Sequence, residues 1–168
     1  MDRTAREREW HMLYLGLIPL IAGSDLIVKS GIERMGAEEF PRDIAGTKGR
    51  VQFRKLHNSG FPMGALREFP ELIRCLPLAV SSIMLFRISL LLPRRGHSLE
   101  KLGLSAALGG ALSNLFDRFF RGHVVDYLYV ELPLVNRIVF NLGDVFIALG
   151  ALLTGAGRAR GGKRLGTH

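Results

Sequence analysis

The sequence predicts an all-α membrane protein with four transmembrane helices and a small extracytoplasmic β-containing subdomain in the first loop. Of the 168 residues, 48% are apolar, and they are gathered in four runs that hold few charges. A membrane-spanning helix needs about 20 residues to cross about 30 Å of hydrocarbon. We therefore expect one membrane domain over residues 1–168, with spans at about 10–29, 72–92, 99–120 and 135–156.

The first apolar run has two interpretations. It follows Arg3, Arg6 and Arg8 and ends near the small residues 22–24, as the apolar core of a cleavable signal peptide does. Three further apolar runs, and the polar residues after that site, favour a retained helix instead. Within this helix Asp25 and Lys29 are one turn apart, so we expect them to form an ion pair.

The connection at 30–69 has the pattern of a small sheet. Residues 50–54 alternate polar and apolar side chains, which is the period of a half-exposed strand, and glycines punctuate the segment on both sides. We expect this loop to fold on the extracytoplasmic side. At the other end of the chain, residues 158–168 are rich in Gly, Arg and Lys and predict a disordered basic tail in the cytoplasm.

The placement of positive charge predicts the orientation of the helices. Residues 1–9, 93–101 and 156–168 hold ten Lys and Arg in 31 residues, whereas 30–69 and 119–136 hold eight in 58. Loops on the cytoplasmic side carry more Lys and Arg, so both termini are expected in the cytoplasm. The net charge of +8 could indicate a nucleic-acid partner. The placement of the charges argues against this, because basic segments beside membrane spans contact anionic lipid head groups.

Polar residues that are rare in membrane spans fall at one level of the predicted bundle. Four alternating spans place Asp25, Asn114 and Asp117 near the outer ends of their helices. Asn141 and Asp144 are then expected about 10 to 15 Å along the fourth helix. Placing a carboxylate in hydrocarbon costs several kcal/mol of free energy. Each aspartate within a span is therefore by default a candidate for a functional site.

Small residues predict how the third and fourth helices meet. Spacings of three and four residues place one set on a single face of the third helix: Gly103, Ala107, Gly110, Asn114 and Asp117. The fourth helix repeats the pattern with Asn141, Asp144, Ala148, Ala151 and Gly155. Small faces allow close helix contact in lipid, and the two asparagines fit a purely structural role between helices equally well.

Five short motifs resemble those of the lipoprotein signal peptidase family, the bacterial signal peptidase II. They are 114–118 (Asn-Leu-Phe-Asp-Arg), 122–127 (Gly-His-Val-Val-Asp-Tyr), 140–144 (Phe-Asn-Leu-Gly-Asp), Asp25 with Lys29, and Asn58 followed by Gly60. The resemblance covers nearly the whole chain, including the four-span layout. The chain departs from the family at Phe61-Pro62-Met63, where small residues are usual, at Ser113 in place of glycine and at Gly143 in place of alanine.

This resemblance implies an intramembrane aspartyl endopeptidase of the bacterial cytoplasmic (inner) membrane. It would remove signal peptides from prolipoproteins, cutting before a cysteine that bears diacylglycerol. By the resemblance, Asp126 and Asp144 form the catalytic pair. The positions that bind substrate or order the site are Asp25, Lys29, Asn58, Asn114, Asp117, Arg118 and Asn141. We expect a monomer without a cofactor, whose partners are diacylglyceryl prolipoproteins and membrane lipids.

Two neighbouring aspartates suit peptide hydrolysis. When two carboxylates lie close together, one keeps its proton while the other activates water as a general base, and the sequence leaves open which is which. Paired acids in a membrane also fit a small transporter or proton relay, and an inactive paralogue would use the same contacts as a scaffold. A relay predicts polar residues spread across the bilayer, whereas here they gather at one level.

A metal site is not expected. His123 lies three residues before Asp126, as a ligand pair does, but no other histidine or cysteine is near it in the sequence. Cys75 is the single cysteine, which excludes a disulfide within the chain.

Overall fold

Four helices dominate the computed structural model, which describes residues 3–60, 70–132 and 135–165. They are α1 (Arg3–Arg34), α2 (Pro70–Leu91), α3 (Ser98–Phe116) and α4 (Leu142–Leu165). A short 3-10 turn follows α1, and a π-helical turn at Asp117–Arg121 follows α3. Each of the four predicted spans overlaps one of these helices.

The β-sheet is antiparallel and comes from two separate parts of the chain. Its strands are β1 (Arg42–Asp43), β2 (Val51–Asn58), β3 (Val124–Leu132) and β4 (Val135–Phe140), in that spatial order. The predicted strand near residues 50–54 is confirmed. The expectation that the sheet belongs to the first loop alone is wrong, because β3 and β4 follow α3.

The fourth helix is displaced along the chain from its predicted span of about 135–156. Residues 135–140 form β4, and α4 begins only at Leu142, so Asp144 lies in its first turn rather than deep within it. A short apolar run suits a strand as well as a helix, which explains the error. At the other end α4 continues to Leu165, so the predicted disordered tail is wrong for 158–165, and residues 166–168 lie outside the described residues.

Among the described residues, three helical segments are long and apolar enough to cross a membrane: Trp10–Arg34, Glu71–Leu91 and Leu142–Arg160. Large apolar side chains on these helices are exposed, among them Leu20 at 67%, Ile83 at 67% and Leu152 at 70%. Such extensive apolar surface is suited to contact with lipid. The remaining helix, α3, lies centrally, and most of its residues are buried against the other three.

Glycines bring α3 and α4 into close contact. A Cβ added at Gly103 would lie 2.6 Å from the carbonyl oxygen of Gly150, and one added at Gly110 would collide with the carbonyl group of Gly143. The predicted small face of α3 is therefore confirmed. On α4 the predicted contact of Asp144 with Asn114 is confirmed at 2.8 Å, but the prediction is wrong for the small residues, because the close contact uses Gly143 and Gly150. The predicted α4 residues that are exposed are Ala148, Ala151 and Gly155.

We expect Gly110→Ala to destabilise the protein, because the added methyl group would meet the α4 backbone and force the two helices apart. Overpacking of this kind costs about 1–3 kcal/mol. Thermal unfolding in detergent measures the effect. Gly16→Ala on α1 is the matched control, since nothing lies within 4 Å of its added Cβ. An unfolding temperature for Gly110→Ala equal to that of the Gly16→Ala control would contradict this packing.

A buried carboxylate joins three helices at the N-terminal end of α3. Glu100 is 1% exposed and accepts hydrogen bonds from Arg87 of α2 at 2.8 Å and from Arg158 of α4 at 3.0 Å. A buried charge is tolerated only when it is paired, so both arginines stabilise this end of the bundle. The opposite end of α3 carries the polar residues that the sequence singled out.

Candidate active site

The predicted site residues lie where the C-terminal parts of α1 and α3 meet the sheet and the start of α4. Hydrogen bonds and ion pairs join them into one carboxylate–amide cluster. The structure therefore brings together the complete predicted set: Asp25, Lys29, Asn58, Asn114, Asp117, Arg118, Asp126, Asn141 and Asp144.

Asp126 enters the cluster from β3. Asn58 pairs with Val124 and Asp126 pairs with Leu56, so Asn58 and Asp126 are diagonal neighbours on one face of the sheet. Asn58 Nδ2 donates to Asp126 Oδ2 at 3.0 Å, and Asn141 Nδ2 donates to Oδ1 at 2.7 Å. Burial raises the pKa of Asp126, and the nearby Asp144 carboxylate raises it further, while the two amide groups act in the opposite direction.

Asn141 positions Asp144 at the start of α4. The Asn141 Oδ1 accepts the backbone N–H of Asp144 at 2.9 Å, and Asp144 Oδ2 accepts the backbone N–H of Asn141 at 3.2 Å. This reciprocal pattern is a capping box, which fixes the first turn of a helix. Asn141 therefore contacts both aspartates, through its side-chain amide on Asp126 and through its backbone on Asp144.

Lys29 is the cation at the centre of the cluster. Its side chain is fully buried, with Nζ 2.8 Å from Asp25 Oδ2 and 3.0 Å from Asp117 Oδ2. The predicted ion pair with Asp25 is confirmed. Lys29 Nζ also donates to Asn114 Oδ1 at 2.7 Å, and Asn114 Nδ2 donates to Asp144 Oδ1 at 2.8 Å. Because Lys29 has no acceptor, it fixes the orientation of the Asn114 amide and directs its N–H group at Asp144.

Ser113, which stands where the resembling family has glycine, belongs to the cluster. Its hydroxyl donates to Asp25 Oδ2 at 2.6 Å and accepts a hydrogen bond from Lys29 Nζ at 3.2 Å. The hydroxyl thus gives Asp25 an additional donor. We infer that this departure from the motif adds to the polar network without disturbing the helix contact.

Two residues in the same network were missed from the sequence. The Tyr127 hydroxyl donates to Asp25 Oδ1 at 2.8 Å and accepts the backbone N–H of Leu142 at 3.1 Å, which ties β3 to α1 and α4. Burial and the neighbouring Asp25 raise the pKa of Tyr127. Arg121 pairs with Asp117 at 2.6 Å. The four-residue spacing from Asp117 was an available signal for Arg121, whereas strand alternation points Tyr127 away from Asp126 and gave none.

Arg118 lies at the edge of the cluster, between α3 and the end of β2. Its guanidinium group donates to the carbonyl oxygens of Asn114 and Gly60, each at 3.4 Å. The Gly60 backbone N–H in turn donates to Asn58 Oδ1 at 3.0 Å. The altered motif at Phe61-Pro62-Met63 lies outside the described residues.

A cavity of about 660 Å³ opens beside this cluster, between α2, α3 and α4. Apolar side chains line most of it, including Val80, Met84 and Ile147. Asn114, Arg118 and Asp144 form one polar part of its wall. The cavity therefore connects an apolar space to one member of the aspartate pair.

These features define a polytopic membrane protein in which Asn141 links buried Asp126 to partly buried Asp144 at the junction of a helix bundle and a small sheet. The family model for Signal peptidase (SPase) II matches residues 17–157. The chain belongs to the signal peptidase II family.

Individual relatives agree with this family, and a solved structure shares the fold. The chain is 27% identical over 157 residues to a lipoprotein signal peptidase of Aquifex aeolicus, covering 91% of this chain and 88% of the relative. It is 33% identical over 102 residues to one of Mesorhizobium japonicum, covering 59% and 58%. The matched region thus spans only about half to three fifths of several curated relatives. A bacterial membrane enzyme solved by the in meso method at 2.3 Å shares the fold, with a TM-score of 0.74, 16% identity and 93% of each chain covered.

Proposed function

We propose that this protein is an intramembrane aspartyl endopeptidase that removes signal peptides from diacylglyceryl-modified prolipoproteins, cutting before the lipid-modified cysteine. The observation that carries the proposal is the contact of Asn141 with both Asp126 and Asp144. One residue at the start of α4 thereby holds two carboxylates in a small, largely buried space. Membership of the signal peptidase II family supports peptidase activity, and the relatives named lipoprotein signal peptidase support this class of substrate.

In the proposed reaction the two aspartates share one proton and act on one water molecule. The ionised carboxylate takes a proton from the water as the water oxygen bonds to the scissile carbonyl carbon, and the carboxylic acid protonates the carbonyl oxygen. The aspartate that protonated the carbonyl oxygen then takes a proton back from the tetrahedral intermediate. The carbon–nitrogen bond breaks, and the leaving amine takes the proton that the other aspartate removed from the water. Both aspartates are then in their starting protonation states.

We assign the general base to Asp144 and the resting proton to Asp126. Asp144 lies in the first turn of α4, where the helix dipole favours a negative charge. Asp126 is 3% exposed whereas Asp144 is only partly buried, and burial disfavours the charged form of a carboxyl group. Because the two groups interact, their protonation is a property of the pair, and measured pKa values belong to both together.

The cavity beside Asp144 suits an apolar substrate. It measures about 660 Å³, and its apolar walls come from three helices. The apolar segment of a signal peptide and the acyl chains of diacylglycerol both have this chemistry. In the proposal either group occupies the apolar part, and the scissile bond reaches Asn114 and Asp144 at the polar wall.

We further propose that α3 is a fourth span beside the three helical segments that qualify by length and composition. In this arrangement one membrane domain lies in the bacterial cytoplasmic (inner) membrane, with the sheet on the outer side and both termini in the cytoplasm. The density of Lys and Arg near the termini and between α2 and α3 supports this orientation. The protein would act as a monomer.

A pair of matched lipopeptides tests the proposed substrate class. Both carry the same signal sequence and cysteine, but only one cysteine bears diacylglycerol. The purified protein should cleave the lipidated peptide and leave the other intact, because the lipid places the peptide bond at the polar wall of the cavity. Mass spectrometry should find the modified cysteine as the new N-terminus. No cleavage of the lipidated peptide, or equal cleavage of both, would contradict the proposal.

A further inference from the structure

Two histidines and a glutamate meet at the C-terminal end of α1, outside the carboxylate–amide cluster. Glu33, His57 and His123 each contribute one ligand atom, and these atoms all lie within 4.8 Å of one another. His57 Nε2 is 2.7 Å from Glu33 Oε1, and His123 Nε2 is 3.9 Å from the same oxygen. The two imidazole rings are in contact, with centroids 4.0 Å apart.

The pairing of β2 with β3 brings the two histidines together. His57 lies opposite Val125, and His123 comes just before β3 on the same alternation, so both lie on the sheet face opposite Asp126. The sequence argument against a metal was that no histidine or cysteine lies near His123. That argument fails because His57, which is distant in the sequence, lies on the neighbouring strand β2 beside His123 and next to Glu33 at the end of α1.

The donor set suits a transition-metal ion. Imidazole nitrogen and carboxylate oxygen are ligands of zinc, and three protein ligands with one water complete a tetrahedral site. His123 Nε2 is buried and has no hydrogen-bond partner within the described residues, a cost that binding a cation would remove. The three side chains are 27% to 47% exposed, which gives an ion access.

One neighbouring cation shapes the site. Lys55 Nζ lies 3.9 Å from Glu33 Oε2, the carboxylate oxygen that faces away from His57. This ammonium group also donates to the carbonyl oxygens of Glu33 and Met35, at 2.9 and 3.1 Å. These contacts keep Lys55 at Oε2, and an ion bound at Oε1 would replace the hydrogen bond between this oxygen and His57.

We propose that Glu33, His57 and His123 bind one divalent transition-metal ion of the zinc type, which fastens the end of α1 to β2 and β3. The site lies directly beside residues of the carboxylate–amide cluster. Asn58 follows His57 in β2, and Asp126 comes three residues after His123. The ion stabilises the part of the sheet from which these two side chains extend, and it takes no part in the proposed hydrolysis.

Calorimetric titration of tag-free, chelator-treated protein with Zn²⁺ tests the site. We expect one ion per chain, and we expect His57→Ala and His123→Ala each to weaken binding at least tenfold. His97→Asn is the matched control: His97 is exposed and has φ +56°, a conformation that Asn tolerates. This control should bind like the wild type. Binding that is absent in the wild type, or unchanged in both alanine variants, would overturn the proposal.

Two further measurements keep the test independent of peptidase activity. Zn²⁺ should raise the thermal unfolding temperature of the wild type and of His97→Asn, but not that of His57→Ala. Glu33→Gln keeps the size of the side chain and removes its charge. It should therefore weaken Zn²⁺ binding, although both imidazole rings remain in place. X-ray absorption at the zinc edge should show nitrogen and oxygen ligands. A sulfur ligand would contradict the assignment.

Discussion

Asp126→Asn is expected to slow cleavage of a diacylglyceryl prolipoprotein by on the order of 10³-fold, because a carboxamide cannot hold or return the catalytic proton. Asp144→Asn should cause a loss of the same order, since in the proposed mechanism both groups act on one water molecule. Single-turnover cleavage of the lipidated peptide measures the chemical step directly.

The structure indicates that Asp126→Asn stays folded. A carboxamide at position 126 would still accept from Asn141, but its amide N–H group would face that of Asn58. Asn58 cannot reverse its amide without losing the hydrogen bond from the Gly60 backbone to its Oδ1. One mismatched buried pair costs about 1–3 kcal/mol, which is less than the about 4 kcal/mol that a 10³-fold loss in rate represents. The unfolding temperature in detergent should therefore fall by several degrees while the protein stays folded.

Asp43→Asn is the matched control for the loss of a carboxylate. Asp43 lies exposed on β1 and accepts a hydrogen bond from Gln52, away from the cluster. Its variant should cleave at the wild-type rate. If Asp126→Asn or Asp144→Asn also cleaved at that rate, the two-aspartate mechanism would be wrong.

Lys29→Met is expected to destabilise the fold by about 3–5 kcal/mol, because it leaves buried carboxylates without their shared cation. Lys29 and Asp25 are both fully buried, and Asp117 keeps Arg121 as a cationic partner. The variant would also release the Asn114 amide, whose orientation depends on Lys29. Both unfolding temperature in detergent and cleavage rate should fall.

A second substitution tests whether uncompensated charge is the cause. Asp25→Asn combined with Lys29→Met removes one negative and one positive charge, so the double variant should recover much of the lost stability. Lys55→Met is the control, since Lys55 is a partly exposed lysine outside the cluster. A Lys29→Met protein as stable as Lys55→Met would show that the buried ion pairs contribute little.

The sequence predicted the helices better than the sheet. Four apolar runs locate four helices because burial and lipid contact both require apolar side chains over many residues. The β3–β4 hairpin was not predicted, because residues 135–140 lie directly before α4 and were read as the first part of its apolar run. Hydrophobic periodicity does not distinguish a short strand from a helix. The pattern Asn141-Leu142-Gly143-Asp144 contained the missing signal, because a capping box marks where a helix begins.

The candidate site was predicted as a set of residues, but not as a set of contacts. Spacing within one helix suggests the pair Asp25 and Lys29, and the structure confirms it. The contact of Lys29 with Asp117, and that of His57 with His123, join segments distant in the chain. Local patterns do not encode such pairings, which depend on strand register and helix packing. The catalytic roles of Asp126 and Asp144 remain predictions that the variants above test.

The capping box of Asn141 and Asp144 has a consequence for the order of assembly during synthesis. Asn58 and Asp126 leave the ribosome before α4, yet the residue that joins the two aspartates belongs to the start of that helix. A nascent chain that lacks α4 therefore holds only half of the pair. In the proposed mechanism, hydrolytic competence should therefore arise only once α4 has entered the bilayer and docked on α3.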